Sequence, residues 1–394
     1  MNLPGFRETP PSSEGPRVVF EQPVLPSYRV AVYRAIAERL PGSFLVVHGE
    51  ESGLPNVAPQ GFAAELRRQK TWRLFGQEFF WQPAQWHYAS RRRADVLLLT
   101  WNLRYLSLLP ALLRAKWSGV RTILFGHGYS RTSGARFAFL RNAIAELASC
   151  VLVYNRTSAA NLAAQGFPAE RTFVALNSMD QNAINEAAAY WTAGPERLAA
   201  WQRDHGLAEV PYVLLVSRIT PKVRAKLLVD ALAIARKALP DLQAVVIGSG
   251  NTAPLLDRAA ARGVRDAVRV IGPIYNEHEL APYFLSARLL AYPSAIGLSL
   301  IHAFTYGLPV VTDNDLLNHN PEIEALKPGV NGLLYRAGDA TDFARAILEI
   351  VTRPDLQAHM SAAARDTAAC EFSMNRCVDG YLTALRYCGV GREV

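Results

Sequence analysis

A cluster of cations behind an apolar run is the first feature of the sequence that could do chemistry. Arg218 follows the run at residues 212–217, with Lys222, Arg224 and Lys226 close behind it. Cations gathered at the end of a strand can clamp a pyrophosphate, with arginine as the bidentate partner. The alternative interpretation is an ordinary solvated start of a helix.

His127 is a second candidate, because it stands between Gly126 and Gly128 after the apolar run at 121–125. Glycines on both sides let the backbone approach a ligand while the imidazole faces it. A lone histidine is otherwise more often a structural residue. The position favours a functional histidine at the end of a strand.

The stretch 292–335 has the layout of a nucleotide site. After the apolar run 289–292, a turn leads to Gly297, where a helix is predicted to begin, and residues 308–312 form a short buried strand. The N–H groups of a helix N-terminus attract phosphates. The alternative is a turn between strand and helix with no ligand.

Other polar groups also follow predicted strands. Gly248 and Ser249 lie in a turn that would admit a phosphate or a sugar close to the backbone. Glu322 and Glu324 could accept hydrogen bonds from ribose or sugar hydroxyls, or stabilise the first turn of a helix.

Several common motifs are missing from the sequence. There is no GxGxxG after the first strand, no P-loop, no HExxH, no Cys/His zinc spacing and no GxSxG. We therefore predict no metal site, and dinucleotide and P-loop chemistry lack their fingerprints.

The charge of the chain is uneven. Of 394 residues, 1–190 contain 21 Lys/Arg against 13 Asp/Glu, whereas 191–394 contain 21 against 21, so the net charge of +8 lies in the first half. Residues 101–150 are the most basic, with seven basic residues and one acidic. This asymmetry indicates an anionic partner, such as a membrane surface, nucleic acid or a phosphorylated substrate, or a merely basic surface.

The remaining composition favours a folded α/β protein in a reducing compartment. Hydrophobic residues make up 50% of the chain, and the four cysteines show no regular spacing. Residues 1–16 are polar and proline-rich, which predicts a disordered lead-in without a signal peptide. The sequence contains no window of about 18 uncharged apolar residues, so a membrane span is not predicted.

Apolar strand runs alternate with helical segments in two series, which predicts two Rossmann-like doubly wound domains facing across a cleft. The first domain is predicted at 17–182 and the second at 183–365. The helical segment 366–394 is predicted to pack back on the first domain. A helix is predicted at 103–117, and a loop with a short helix at 50–70. Residues 71–81 form a strand or a hairpin.

In this order, the motifs resemble the family 4 (group 1) glycosyltransferases, which have the GT-B arrangement of two Rossmann-like domains. The resemblance rests on LPSYRVAVYRAIAER, FGHG, ALNSMD, LLVSRITPK, AVVIGSG, and GLSLIHAFTYGLPVVT with PEIEALKPGVNGLLY. It covers the chain from about residue 17 to 381.

The resemblance implies transfer of a sugar from a UDP- or GDP-linked donor to a hydroxyl acceptor, with retention and without a metal or other cofactor. The second domain would bind the nucleotide sugar and the first domain the acceptor. Arg218 and His127 match the family's diphosphate arginine and its donor-facing histidine, and they would be the catalytic residues. The other donor-binding residues would be Lys222, Lys226, Gly248, Ser249, Ser294, Gly297, Leu298, His302, Glu322 and Glu324. The acceptor residues would be Tyr28, Arg29, Asn102 and His127.

Two positions depart from the family pattern. Ser294 and His302 stand where two glutamates eight residues apart are usual, and Val223 stands where the diphosphate lysine is usual. His302 can still hydrogen-bond a ribose hydroxyl, and Lys222 or Lys226 can replace the lysine. The departures leave the donor open.

Three functions remain as alternatives. The first is a cytoplasmic glycosyltransferase of cell-surface polysaccharide or glycolipid synthesis, peripheral on the inner face of the plasma membrane. Its basic region mixes arginines with the aromatic residues Trp101, Tyr105, Trp117, Phe137 and Phe139. The second is a catalytically silent protein that binds nucleotide sugars or polyanions. Nucleic-acid binding rests on charge alone and ranks last.

Overall fold

The computed structural model describes residues 17–50, 55–74, 76–128 and 135–391, with the side chains of 135–138 excepted. The predicted disordered lead-in, residues 1–16, lies outside the described residues. The chain divides into two compact units, Met1–Asn177 with Met374–Val394, and Ser178–Ser373.

The first unit is a parallel sheet with helices. Its strands are β1 (Val18–Gln22), β2 (Phe44–His48), β3 (Ala63–Leu66), the hairpin strands β4 (Lys70–Leu74) and β5 (Gln77–Trp81), β6 (Val96–Thr100), β7 (Arg121–Gly126), β8 (Cys150–Val153) and β9 (Thr172–Val174). Its helices are α1 (Ser27–Arg39), α2 (Pro83–Tyr88), α3 (Leu108–Ser118), α4 (Ala135–Ala145), α5 (Arg156–Ala164) and, from the end of the chain, α14 (Met374–Tyr387).

The second unit repeats this architecture. Its helices are α6 (Gln181–Thr192), α7 (Pro195–Asp204), α8 (Ala225–Ala235), α9 (Ala253–Ala261), α10 (Glu277–Ser286), α11 (Ser299–Thr305), α12 (Ala340–Val351) and α13 (Pro354–Asp366). Its strands are β10 (Tyr212–Val216), β11 (Gln243–Ile247), β12 (Val268–Gly272), β13 (Leu289–Ala291), β14 (Val310–Asp313) and β15 (Gly332–Tyr335).

Both large sheets have the strand order of a Rossmann fold. The first runs β3-β2-β1-β6-β7-β8-β9 and the second β12-β11-β10-β13-β14-β15, with every neighbouring pair parallel. The inner strands are largely buried, since helices cover both faces of such a sheet, whereas the edge strands β3, β9 and β12 are partly exposed. The prediction of two Rossmann-like doubly wound halves is confirmed.

The C-terminal helix completes the core of the first unit. Cys377, Val378, Tyr381 and Leu385 of α14 are buried with residues of β1, β6 and β7. The core of the first unit therefore combines strands from early in the sequence with a helix that follows the second unit.

Three local predictions differ from the structure. The helix predicted at 103–117 begins at Leu108, because Pro110 lacks an N–H and fits only the first turn of a helix. The region 50–70 contains strand β3 rather than a short helix, since residues 63–66 pair in parallel with β2. Residues 71–81 contribute to an antiparallel hairpin, one of the two alternatives.

Candidate functional site

The candidate site of the second unit lies at the carboxyl edge of its sheet. Strand β10 lies between β11 and β13. The sheet continues from β11 to β12 on one side, and from β13 to β14 and β15 on the other side. Crevices at such a switch point are where open α/β sheets bind ligands. Arg218 follows β10, Gly248 follows β11, and the loop that contains Gly297 follows β13.

Direct contacts join these three strand ends. The hydroxyl oxygens of Ser217 and Tyr292 are 2.7 Å apart, and Ser299 Oγ donates to the carbonyl oxygen of Val216 at 3.1 Å. Gly248 has φ +147°, and a Cβ there would lie 1.8 Å from the carbonyl oxygen of Ser217. Only glycine lets the turn after β11 pack against the end of β10. The candidate residues at this edge therefore lie on one connected surface.

The predicted cations are exposed at the surface of the second unit. Arg218, Lys222 and Lys226 are exposed, and among the described residues none of them makes a hydrogen bond or an ion pair. Lys226 lines a cavity of about 720 Å³ together with Asp230, whereas Arg218 and Lys222 do not line it. The cations are thus available to an external anion, but Lys226 lies in different surroundings from Arg218.

Two backbone donors of the Gly297 loop are also available. Among the described residues, the N–H groups of Gly297 and Leu298 donate no hydrogen bond. Helix α11, which follows them, has only seven residues, so its dipole is smaller than the sequence suggested. Individual N–H groups, rather than a long helix, are what this loop offers to an anion.

A buried histidine holds the Gly297 loop in place. The N–H of Ile296 donates to His319 Nδ1 at 3.1 Å, and His319 Nε2 lies 2.9 Å from Asp313 Oδ1. Because Nδ1 accepts, Nε2 carries the proton that is donated to Asp313. Burial acts to raise the pKa of Asp313, but hydrogen bonds from His319, Ser294 and the N–H of Asp315 together outweigh burial and lower the pKa. The sequence analysis missed both residues, although the polar loop after β14 was visible.

Ser294 is turned into this buried network. Its side chain is fully buried and its Oγ accepts a hydrogen bond from Asn318 Nδ2 at 2.9 Å. The next residue, Ala295, has φ +58°, an unusual conformation for a residue with a Cβ. The hydroxyl of Ser294 thus faces the interior, and its donor-binding role stays a prediction.

His302 is paired with a carboxylate that the sequence analysis did not select. Its Nε2 lies 2.8 Å from Glu277 Oε1, and Tyr306 donates to the same oxygen at 2.6 Å. The ring of Phe284 stacks on His302 with centroids 4.6 Å apart. Burial acts to raise the pKa of Glu277, but hydrogen bonds from His302 and Tyr306 prevail and lower it. An anion therefore stands behind His302, contributed by the first turn of α10.

We expect Glu277→Gln to destabilise the protein by about 1 to 3 kcal/mol at neutral pH, because it removes a charged acceptor shared by two donors. The lowered pKa means that this stabilisation is present above the unfolded pKa and is lost as the pH falls through the folded pKa. Urea unfolding at pH 7 and at decreasing pH measures the difference.

Glu279→Gln is the matched control, since Glu279 is exposed in the same helical turn. It should leave the free energy of unfolding within experimental error. Equal effects of the two variants at every pH would contradict the role of Glu277.

The two glutamates after β14 differ in exposure. Glu322 is buried and Glu324 is half-buried, and both lie in the short 3-10 helix Pro321–Ala325. Asn320, before this helix, donates its N–H to the carbonyl oxygen of Ile296 at 2.9 Å. The segment is therefore tied to the Gly297 loop, while the donor-binding roles of the glutamates stay predictions.

In the first unit, His127 is exposed after β7, and its ring packs edge-on against Tyr154 at 5.2 Å. Tyr28 is exposed and Asn102 is half-buried, with its Oδ1 accepting from the N–H of Arg104 at 3.0 Å. These residues follow β7, β1 and β6, so they share the carboxyl edge of the first sheet.

Arg29 is buried, unlike its neighbour Tyr28. Its Nη1 donates to the hydroxyl of Tyr381 at 3.0 Å, and its guanidinium lies 5.0 Å from the ring centre of Tyr154. These contacts link α1 to the C-terminal helix α14. They indicate a structural role, and the predicted contact of Arg29 with an acceptor stays a prediction.

The described residues contain neither a cluster of metal-binding side chains nor a helix that could span a membrane. Three or more His, Cys, Asp or Glu side chains do not gather there in a way that could hold a metal ion. No described helix is both long and apolar enough to cross a membrane.

Comparison with known proteins matches residues 198–367 to the family model for glycosyl transferases group 1. The D-inositol 3-phosphate glycosyltransferase of Stackebrandtia nassauensis is 35% identical over 203 residues, which cover 48% of this chain and 44% of that protein. The alpha-D-kanosaminyltransferase of Streptomyces kanamyceticus is 26% identical, over 64% of this chain and 62% of that protein. The chain thus matches about half the length of these relatives.

Among solved structures, Anabaena HepE in complex with UDP is similar, with a TM-score of 0.70 and 17% identity. The alignment covers 94% of this chain and 99% of that one. At this identity the likeness concerns the fold, and it extends over both units.

Proposed function

Since residues 198–367 match the group 1 glycosyl transferases and the fold is of the GT-B type, we propose that this chain is a glycosyltransferase. It would move a sugar from a nucleotide-sugar donor to a hydroxyl acceptor. The relatives include D-inositol 3-phosphate glycosyltransferases and a lipopolysaccharide core biosynthesis glycosyltransferase. They support the reaction type and leave the substrates of this chain as part of the proposal.

The proposal is carried by one observation: at neighbouring strand ends, Arg218 and the N–H groups of Gly297 and Leu298 have no hydrogen-bonding partner among the described residues. Ser217, which precedes Arg218, touches Tyr292, and Val216 touches Ser299, so the two features belong to adjacent strand ends. A cation and several N–H donors at a switch point are suited to a diphosphate. We assign this edge to the diphosphate of the donor.

The chemistry follows from stabilising the leaving group. The acceptor hydroxyl oxygen forms a bond to the anomeric carbon while the bond from that carbon to the diphosphate oxygen breaks. The proton of the hydroxyl passes to the departing diphosphate on the same face of the sugar, which retains the anomeric configuration without a protein nucleophile. Arg218 and the N–H groups lower the barrier by meeting the negative charge as it develops. Lys222 or Lys226 would add a second cation. The protein itself would then supply the positive charge that offsets the diphosphate, in a metal-independent reaction.

The nucleoside side of the site would use the pair of His302 and Glu277. Ribose hydroxyls can donate to a carboxylate and accept from an imidazole. The family pattern has a glutamate at the position of His302. In this chain the carboxylate of Glu277, which contacts His302, would supply the negative charge instead. Glu322 and Glu324 are proposed to contact the ribose or the donor sugar from the segment that follows β14.

The first unit is proposed to bind the acceptor through Tyr28, Asn102 and His127 at the carboxyl edge of its sheet. The excess of basic residues in residues 1–190 favours an acceptor that carries or accompanies negative charge. A lipid-linked glycan at the inner face of the plasma membrane fits this description. We therefore propose a cytoplasmic, peripheral enzyme of polysaccharide or glycolipid synthesis.

A panel of UDP- and GDP-linked sugars tests the proposal, first by thermal shift and then by release of nucleoside diphosphate. Binding to the folded state raises the melting temperature, so the true donor should do so and should then be consumed. Binding of a donor without any turnover, with or without acceptors, would favour the alternative, a catalytically silent nucleotide-sugar protein. No shift with any nucleotide sugar would overturn the proposal.

A further inference from the structure

Helix α3 exposes a stripe of large apolar side chains. Leu106, just before the helix, is 50% exposed, and Leu109, Leu113 and Trp117 are 42%, 51% and 93% exposed. Leu109, Leu113 and Trp117 are spaced by four residues and therefore lie along one face of the helix, and Leu106 precedes them by three residues. We call these four residues the α3 stripe.

The opposite face of the same helix already fills the core. Leu108, Ala111, Leu112 and Ala115 are buried among residues of β6, β7 and β8. A surface helix ordinarily carries polar residues on its outer face, whereas a helix that is apolar all round is covered on every side. The α3 stripe therefore indicates that an apolar partner outside the first unit covers this face of the helix.

Cations flank the α3 stripe, and the helix carries no acidic residue. Arg114 and Lys116 lie on either side of the line through Leu113 and Trp117. The guanidinium of Arg114 stands 4.4 Å from the ring centre of Trp86, which is itself 44% exposed. An apolar face edged by cations and aromatic rings is the pattern of a helix at a lipid–water interface.

A basic cavity adjoins the C-terminal end of α3. It has a volume of about 470 Å³, and Lys116 and Arg121 line it together with Arg91 and Arg171. Arg91 and Arg171 are paired with Asp95 and Glu146, at 3.3 and 2.8 Å. Within the described part of the chain, Lys116 and Arg121 have no ion pair. Lys116 and Arg121 are thus available to phosphate groups.

We propose that the α3 stripe is a membrane-docking surface for anionic phospholipids. Leu109, Leu113 and Trp117 enter the boundary between headgroups and acyl chains, while Arg114, Lys116 and Arg121 meet lipid phosphates. This inference deepens the proposed peripheral location by naming the surface and its lipid. A second copy of the chain fits less well, because symmetric pairing of α3 would bring its cations together without a carboxylate to pair them.

The structure also corrects the earlier choice of interface residues. Trp101 and Tyr105 are 8% and 2% exposed, so they belong to the core and cannot meet a membrane. Trp117 and Phe139 are exposed, as an interface requires, and the side chain of Phe137 lies outside the described residues. The sequence did not distinguish the leucines of the α3 stripe from core leucines, because exposed and buried leucines alternate within one apolar run.

Cosedimentation with vesicles tests the docking surface on the full chain without donor or acceptor. The chain should bind vesicles that contain phosphatidylglycerol, more weakly at high salt, and should bind pure phosphatidylcholine poorly. Leu113→Ser combined with Trp117→Ser should weaken binding at least tenfold, roughly the loss expected from the buried apolar area. Arg114→Gln combined with Lys116→Gln should weaken it by roughly fivefold per cation on the anionic vesicles.

The matched control is Leu66→Ser, which removes a leucine of 45% exposure from β3, three strand positions away from β6. It should bind vesicles as the unchanged chain does. Unimpaired binding of the stripe variant, or no binding of the unchanged chain, would overturn the proposal. Light scattering that shows a dimer dissociated by the stripe variant would assign the surface to a second copy instead. Intact vesicle binding without any donor turnover would contradict the proposed function and leave the docking surface standing.

Discussion

Replacing Arg218 with alanine is expected to lower kcat/KM by about 10²- to 10³-fold, which corresponds to about 3 to 4 kcal/mol of transition-state stabilisation. Arg218 is an exposed cation that follows β10, and it has no hydrogen bond or ion pair with any residue that the structure describes. It meets a charge that grows as the bond to the diphosphate breaks. The loss should therefore appear mainly in kcat, measured by nucleoside diphosphate release at saturating donor.

Arg353→Ala provides the comparison, since Arg353 is exposed just before α13, outside the strand-end loops of the site. It should retain full activity. Because no described residue forms a hydrogen bond or an ion pair with Arg218, its removal should also leave the melting temperature unchanged, which separates a catalytic loss from unfolding. Near-normal turnover of the Arg218 variant would refute its assignment to the diphosphate.

Glu21→Gln is expected to stabilise the protein by about 3 kcal/mol at pH 8 and to have little effect at pH 4.5. Glu21 is fully buried near the end of β1, and its Oε2 accepts from Gln85 Nε2 and from the N–H of Thr100, both at 3.1 Å. Burial raises the pKa of Glu21 to about 7, although these hydrogen bonds act against it.

The direction of this effect on stability follows from the proton that Glu21 binds. Between the unfolded value near 4.5 and the folded value near 7, the folded state keeps the proton of Glu21 and the unfolded state loses it. Raising the pH through this window therefore lowers the free energy of unfolding of the unchanged protein. Glutamine keeps an acceptor for both donors and has no proton to lose, so the variant should show a flatter dependence on pH.

Urea unfolding at several pH values between 4.5 and 8 measures this difference. Glu38→Gln is the control, because Glu38 is exposed on α1. It should follow the unchanged protein at every pH. Equal stability of the Glu21 variant and the unchanged protein at pH 8 would mean that Glu21 is ionised in the folded state without cost.

The architecture could be predicted because apolar strands and helices alternate along the chain. A strand buried on both faces needs a continuous apolar run, as in residues 96–100 and 212–216, and this is visible without any partner. The position of Arg218 directly after such a run also identified a strand end. These features depend on neighbours in sequence.

The direction of individual side chains could not be predicted in the same way. Ser294 and His302 were both selected from their positions, yet one faces a buried network and the other pairs with Glu277, 25 residues earlier. Such partners come together only when strands and helices pack. The same holds for Arg29, whose partner Tyr381 lies 352 residues away.

The sequence by itself determined the two Rossmann-like halves, the strand ends that carry cations and glycines, and the basic character of the first half. Only the tertiary structure decided which leucines of α3 face solvent, which histidine holds the Gly297 loop and which carboxylate stands behind His302. The physical reason is that periodicity and composition act locally, whereas burial and hydrogen-bond partners depend on contacts between residues far apart in the chain.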